Sequence, residues 1–333
     1  MDVRGRKISK RVWITLFCVV AVVMAGIIVL HHNPLANPQE EIIKKVISCV
    51  IIFISCVLFW RLYDKLTVLP VELYQNRRLI WKLAKNDFRK RYAGSYMGAL
   101  WALVQPVVTV VMYWIVFEKV FGGSGPRGDN GVEVPFVLFL TAGLVPWFFF
   151  SEALTNGTSA LLEYNYLVKK VVFKISILPI IKIIAATFIH AFFVVILLIV
   201  ASGYGYYPNV YTLQIFYYSA CLFIFVLALS YSTCALVVFF RDLLQIINIA
   251  LQIGMWVTPI MWNINGFDNA WIVLLKLNPL VYIVSGYRSA IYEHSWFWED
   301  FYSTMYFWIF TVVIFGVGAL IFKRLKVHFA DVL

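Results

Sequence analysis

The sequence predicts an all-α polytopic membrane protein with eight transmembrane helices, and three observations carry that prediction. The 333-residue chain is 62% hydrophobic and only 14% charged, with a mean hydropathy of +0.84, far from the composition of an ordinary soluble domain. Eight apolar runs, near residues 12–31, 44–63, 98–121, 135–155, 176–202, 212–240, 244–263 and 303–322, approach the roughly 20 residues a helix needs to cross the hydrocarbon core. The runs are continuously apolar instead of alternating, which argues against a β-barrel. The third observation is charge. With the N-terminus inside, the polar segments 1–11, 61–91, 156–182, 241 and 323–326 hold 22 of the 28 Lys and Arg residues, which places both termini in the cytoplasm. The net charge of +11 is then a topology signal and an attraction to anionic headgroups, with no nucleic acid required.

Taken in order, the first two spans form an N-terminal transmembrane hairpin, 1–70. Its first span is expected to be retained, because the run is long and no small-x-small cleavage site ends it. Residues 71–97 hold a cytoplasmic amphipathic helix. Ile80, Ala84, Phe88 and Tyr92 form an i, i+4 row beside Trp81 and Leu83, while Lys82, Lys85, Arg89 and Lys90 lie away from it. Such a helix is expected to lie on the bilayer, aromatic side down, with its cations among the phosphates. It runs almost directly into the third span. Residues 98–333 supply the other six spans and one stretch, about 267–298, that is no ordinary span. Asn278-Pro279 breaks it, and Lys276 and Arg288 charge its halves, each too short to cross. A pair of short helices dipping into the outer leaflet is expected, and irregular backbone at that depth must be packed in protein or face a watery cavity. A gate and a merely structural re-entrant hairpin both fit.

Catalytic signatures are missing. The sequence has no GxxxxGK[ST] phosphate loop, no HExxH and no GxSxG. Cys18, Cys49, Cys56, Cys221 and Cys234 all fall in predicted spans without a CxxC pair or His neighbours, so neither a metal site nor a disulfide is predicted. His190 is the sole His well inside a span. With no acidic partner near it in sequence, it reads as a satisfied interhelical residue. An ATP-independent flippase or membrane enzyme would place carboxylates inside the membrane, and none is expected here. Aromatic residues make up 18% of the chain, with Trp101, Tyr113, Trp114 and Phe117 in the third span and Trp256 and Trp262 in the seventh. They could be packing residues, or flat faces along a pore that meet the C–H side of sugar rings.

Several motifs occur in an order that resembles one family. The run 79–122 contains the basic helix, Arg91-Tyr92, Gly94-Ser95, Gly98, Trp101 and Pro106. Ala142–Trp147, Asn165–Lys170, Leu178-Pro179, Phe240–Leu243, Thr258–Ile260 and Leu277–Leu280 with Tyr287-Arg288 follow. Together they resemble the permease subunit of ABC-2-type polysaccharide exporters, which export O-antigen, capsule and teichoic acid precursors. The likeness covers roughly 77–325. It departs from the family at Phe173-Lys174, where Phe-Pro is common, and in the added hairpin 1–70.

The resemblance implies a six-helix ABC-2 transmembrane core at 98–333 in a bacterial inner membrane. It implies a homodimer with a central channel above two copies of a separate ATPase, so that ATP and Mg reside on that partner and this chain carries no cofactor. It assigns ATPase coupling to Arg89, Arg91, Tyr92, Glu163, Tyr166, Lys169 and Lys170, with Arg89 and Arg91 also suited to a lipid diphosphate. It favours channel contact by Trp101, Tyr113, Trp114, Phe117, Trp256 and Trp262, and an outer gate at Asn278, Pro279, Tyr287 and Arg288. The implied cargo is a lipid-linked polysaccharide. An ABC-2 exporter of a drug or lipid, or an ATP-independent glycolipid flippase, are the alternatives.

Overall fold

A computed structural model describes residues 10–30, 38–66, 68–91, 96, 98–120, 122, 125–126, 133–168, 174–264 and 268–333. Among these the chain is helical throughout and forms no β-sheet. It divides into two compact units, Met1–Val71 and Glu72–Leu333.

In the first unit α1 (Lys10–Leu30) and α2 (Pro38–Leu66) pack against each other, and Lys45 Nζ donates to the Val29 carbonyl at 3.2 Å. These helices occupy the first two predicted spans. Helix α3 (Val68–Gln75) crosses the boundary between the units and leads to α4 (Arg77–Arg91), the amphipathic segment.

The second unit is built around α6 (Phe136–Glu163). Its apolar window is 78% buried, against 39% for the segment containing α8 (Leu178–Gly203) and 33% for that containing α13 (Phe301–Leu325). Helices α5 (Trp101–Trp114), α8, α9 (Gln214–Val237), α10 (Leu243–Val257) and α12 (Pro279–Arg288) all pack on α6, and α13 packs on α9. Four segments among the described residues are long and apolar enough to cross a membrane: Phe136–Glu163, Ile175–Gly203, Tyr211–Val237 and Phe301–His328. In the third predicted span, a 3-10 turn (Gly98–Leu100), α5 and a π-helical turn (Ile115–Val120) follow one another without a gap.

Helix α10 corrects the predicted span 244–263. It holds 15 residues, about 22 Å of helix, and stops at Val257. Thr258 is extended at φ −74° and ψ 133°, as expected of a residue that precedes proline. The break expected at Asn278-Pro279 is present. Helices α11 (Asn269–Lys276) and α12 meet with a bend of 94°. Asn278 caps α12, its Oδ1 accepting from Leu280 N–H at 3.1 Å, and Pro279 occupies the first turn, where its missing N–H costs nothing.

Small residues set the closest helix approaches. A Cβ on Gly157 would collide with Ser230 of α9, and one on Gly286 would fall inside the Tyr218 ring. Gly286→Ala should therefore lower stability by about 1–3 kcal/mol through overpacking. Gly203→Ala, with nothing within 4 Å of the added methyl, should be neutral. Thermal unfolding of the two purified variants checks the contrast.

Candidate functional site

Three regions of the second unit bring chemically capable side chains together. The first joins α4 to the ends of α6 and α8. Ile80 and Ala84 are buried, and Trp81 and Phe88 meet Phe188 of α8 edge-on at 5.4 and 5.6 Å. The inner part of the apolar row thus packs on protein, because α8 offers it an aromatic partner. That corrects the expectation of an aromatic side turned wholly to lipid. Lys82, Lys85, Arg89 and Lys90 stay exposed.

Beneath this contact lies Lys182, an ammonium 6% exposed. Its Nζ donates to Asp87 Oδ1 at 2.9 Å and to Glu163 Oε2 at 2.6 Å. The Tyr164 hydroxyl also donates to Asp87, and its ring lies 4.9 Å from the ammonium. Burial, and then the proximity of Asp87, push the Tyr164 hydroxyl well above its ordinary pKa, so it remains a donor. Ser159 Oγ donates to the second oxygen of Glu163 at 2.6 Å. Nearby, Ser176 Oγ donates to Glu72, and its carbonyl accepts from the Tyr231 hydroxyl at 2.8 Å. Glu72 and Asp87 are therefore structural partners. Of the residues assigned to coupling, Glu163 sits in this cluster and Tyr166 is exposed beside the Tyr164 ring. Arg91 pairs with Glu152 of α6. Tyr92, Lys169 and Lys170 lie outside the described residues.

Glu152 overturns the expectation of no carboxylate within a span. It was legible, since it falls in the predicted run 135–155. It opens onto the second region, a cavity of about 790 Å³ between α5, α6, α8 and α10. Trp101 and Tyr113 line it, as does Trp147, whereas Trp114, Phe117, Trp256 and Trp262 do not. Trp114 Nε1 instead donates to Glu118 at 2.8 Å, Phe117 packs on Phe136, and Trp262 Nε1 donates to the Trp256 carbonyl at 3.0 Å.

The polar part of the lining went unread in the sequence. Ser151, Glu152, Thr155 and Asn156 come from one face of α6, and Gln245, Asn248 and Gln252 from one face of α10. The signal was their spacing in otherwise apolar helices, i, i+1, i+4 and i+5 on α6 and i, i+3 and i+7 on α10. His190 reaches the same cavity. Its Nε2 is bonded to the Tyr287 hydroxyl at 2.9 Å and lies 3.2 Å from Ser219 Oγ, while its buried Nδ1 has no hydrogen-bond partner.

The third region surrounds the bend between α11 and α12. Arg288 is buried against the Phe139 ring at 3.7 Å, and its two terminal nitrogens donate to the carbonyls of Pro259 and Ile260 at 2.8 Å each. Asn278 Nδ2 donates to Thr258 Oγ1 at 3.0 Å. Pro279 and Tyr287 are buried, and the Tyr287 hydroxyl lies 2.6 Å from Ser219 Oγ. Asn278, Arg288 and Tyr287 fasten the bent pair to the end of α10 and to α8 and α9. Among the described residues no group of three or more His, Cys, Asp or Glu could hold a metal ion.

Removing the Lys182 ammonium would strand the buried Asp87 carboxylate, at a cost of about 3–5 kcal/mol, while the half-exposed Glu163 adds little. Lys182→Met should destabilise the purified protein by that order. Asp87→Asn in the same chain should recover part of the loss, the coupling being read from a double-mutant cycle of unfolding free energies.

Comparison with known proteins identifies the family. Residues 78–292 match the family model described as ABC-2 type transporter. The chain is 28% identical over 262 residues to the O-antigen export system permease protein RfbA of Myxococcus xanthus, covering 78% of this chain and 97% of that protein. It is 25% identical to an RfbA of Klebsiella pneumoniae over 77% of this chain and 95% of the relative. It is 23% identical to the polysialic acid transport protein KpsM of Escherichia coli, over 71% and 89%. With about two thirds of its length matched by that model and several helices able to span a bilayer, this multi-pass membrane protein belongs to the ABC-2 type transporter family.

Proposed function

We propose that the chain is the membrane subunit of an ATP-driven exporter that moves a lipid-linked cell-surface polysaccharide across the bacterial inner membrane. The cavity between α5, α6, α8 and α10 carries this reading. It combines Trp101, Tyr113 and Trp147 with hydroxyls and amides from α6 and α10. Aromatic faces receive the C–H side of a sugar ring, and amides and hydroxyls exchange hydrogen bonds with its OH groups. The named relatives export O-antigen or transport polysialic acid, and the same class of cargo suits this lining.

The same surface supports a homodimer. Of the fifteen residues of α10 only Ile247 is buried. A row of amides beside such an open flank would be costly against lipid. A second copy facing α5 and α10 would enclose the row in a channel. Two copies of a separate ATPase would press on α4 and the turn after α6, where Asp87, Glu163 and Tyr164 meet Lys182. ATP and Mg belong to that partner. The charge bias places this end, and both termini, in the cytoplasm, and the α11–α12 bend then lies at the outer face as a re-entrant pair. With α1, α2, the third span and α10 counted, the chain has eight spans. Glu152 is the feature that favours a flippase, since intramembrane acids serve proton-driven transport. Its pairing with Arg91 gives it a structural use instead.

Depletion of the protein in its host should cause a lipid-linked glycan to accumulate on the cytoplasmic side while the same glycan disappears from the surface. Normal surface glycan with no accumulation would replace the polysaccharide with a drug or lipid cargo. The Arg91–Glu152 pair gives a second prediction. Arg91→Glu should cut export by about tenfold or more, equivalent to about 1.4 kcal/mol. The exchange Arg91→Glu with Glu152→Arg should restore it if the pair acts as a fastener. Failure of the exchange to rescue would assign Arg91 to the diphosphate of the cargo.

A further inference from the structure

A second cavity of about 760 Å³ lies under the bend of α11 and α12, between that pair, the loop after Pro259 and the start of α13. It is separate from the α5–α10 cavity and falls within the roughly 300–1,000 Å³ typical of sites for small organic ligands. Its wall sets unmatched donors beside unmatched acceptors. Tyr292 is 3% exposed and lines the cavity, yet its hydroxyl has no hydrogen-bond partner, and the Nε of buried Arg288 has none either. A buried polar group left unpaired costs about 1–3 kcal/mol, so both point to a ligand that accepts and donates. Exposed Glu299 and Asp300 supply acceptors on the same wall, and Tyr306 supplies a ring face; Trp296 also lines it but is stacked on Trp298 at 4.5 Å.

We infer that this cavity is a saccharide subsite, distinct from the main channel, that holds an uncharged sugar residue of the passing chain at the outer face. The inference rests on the exporter reading for the identity of the ligand and on this cavity alone for the site. A sugar hydroxyl both donates and accepts, which answers Tyr292 and Arg288 on one side and the carboxylates on the other. An acidic sugar fits less well. Glu293, Glu299 and Asp300 face it from the wall against Lys276 and Arg288, and the terminal nitrogens of Arg288 are already committed to two backbone carbonyls. Ser289 Oγ donates to Glu293 at 2.7 Å, which leaves Glu299 and Asp300 as the carboxylates nearest to solvent. An uncharged ligand avoids that repulsion and can still lay its apolar face on Tyr306.

The test uses the full-length protein in lipid nanodiscs and saturation-transfer NMR. The probes are the methyl glycosides of glucose, mannose, galactose and N-acetylglucosamine, with methyl glucuronide and methyl galacturonide as acidic counterparts. At least one neutral glycoside should bind in the millimolar range, and the uronides should bind about tenfold or more weakly. Tyr292→Phe removes only an unpaired hydroxyl, so the fold should persist while affinity falls about fivefold or more. Glu299→Gln with Asp300→Asn, both at the surface, should weaken neutral binding and narrow the gap to the uronides. The inference is overturned if no neutral glycoside binds, if uronides bind as well, or if both variants bind like the parent. These failures would leave the depletion result untouched. Failure of depletion to accumulate glycan would remove the exporter reading even if the cavity binds sugar.

Discussion

A single buried ammonium organises one end of this molecule. Lys182 cannot be left among apolar helices without countercharge, because an uncompensated buried ion costs several kcal/mol. Its partners come from two other elements, Asp87 on α4 and Glu163 at the end of α6. The constraint therefore fixes the height and rotation of the amphipathic helix relative to two bundle helices at once. Apolar contact through Phe188 alone would permit sliding; a two-carboxylate clamp on a nearly inaccessible nitrogen does not. The Tyr164 hydroxyl on Asp87 completes the clamp. The side chains that an ATPase would push against are thus already welded to the bundle.

The polar cavity imposes a complementary requirement. Amides and hydroxyls along α6 and α10 must meet water, ligand or other protein, since lipid satisfies none of them. Trp101, Tyr113 and Trp147 alternate with those groups, so the surface has neither the dryness of a packing interface nor the charge density of an ion pathway. The added pair Arg91–Glu152 lies where α4 meets the same cavity.

Much of the fold was legible in the sequence because continuous apolar runs leave a helix little alternative in a membrane. Thr258-Pro259 and Asn278-Pro279 marked real helix ends, although the first cut short a run that hydropathy alone extended to residue 263. The aromatic track was only partly readable. Trp101 and Tyr113 face the cavity while Trp114 and Phe117, in the same span, turn to Glu118 and Phe136. Which face of a helix looks inward depends on its neighbours, and Thr109 and Tyr113, an i, i+4 pair on the cavity side, are faint marks on a mostly apolar α5. Lys182 was hidden for a different reason. A lone Lys at a helix start reads as a topology charge, and its partners lie 95 and 19 residues away in the chain. Arg288 shows the same effect, because its partners are backbone carbonyls, which no side-chain pattern reveals.

The unequal burial of the two ion-pair systems indicates where an exporter of this design would bend. Breaking the Lys182–Asp87 pair strands two charges that are 7% and 11% exposed, at about 3–5 kcal/mol, whereas Glu163, 49% exposed, keeps its access to solvent. Arg91 and Glu152 are 29% and 28% exposed, where water can take over both partners and a pair is worth nearer 0–1 kcal/mol. A push on α4 would therefore carry the end of α8 with it through Asp87 and Lys182, and the softer Arg91–Glu152 contact would be the one that gives. At the opposite end Arg288 and Asn278 bind the bent pair to residues 258–260 just beyond α10. Displacement of α10 would drag the bend along. Between these two fastened ends lies the open flank of α5 and α10, the same flank that borders the aromatic and amide-lined cavity.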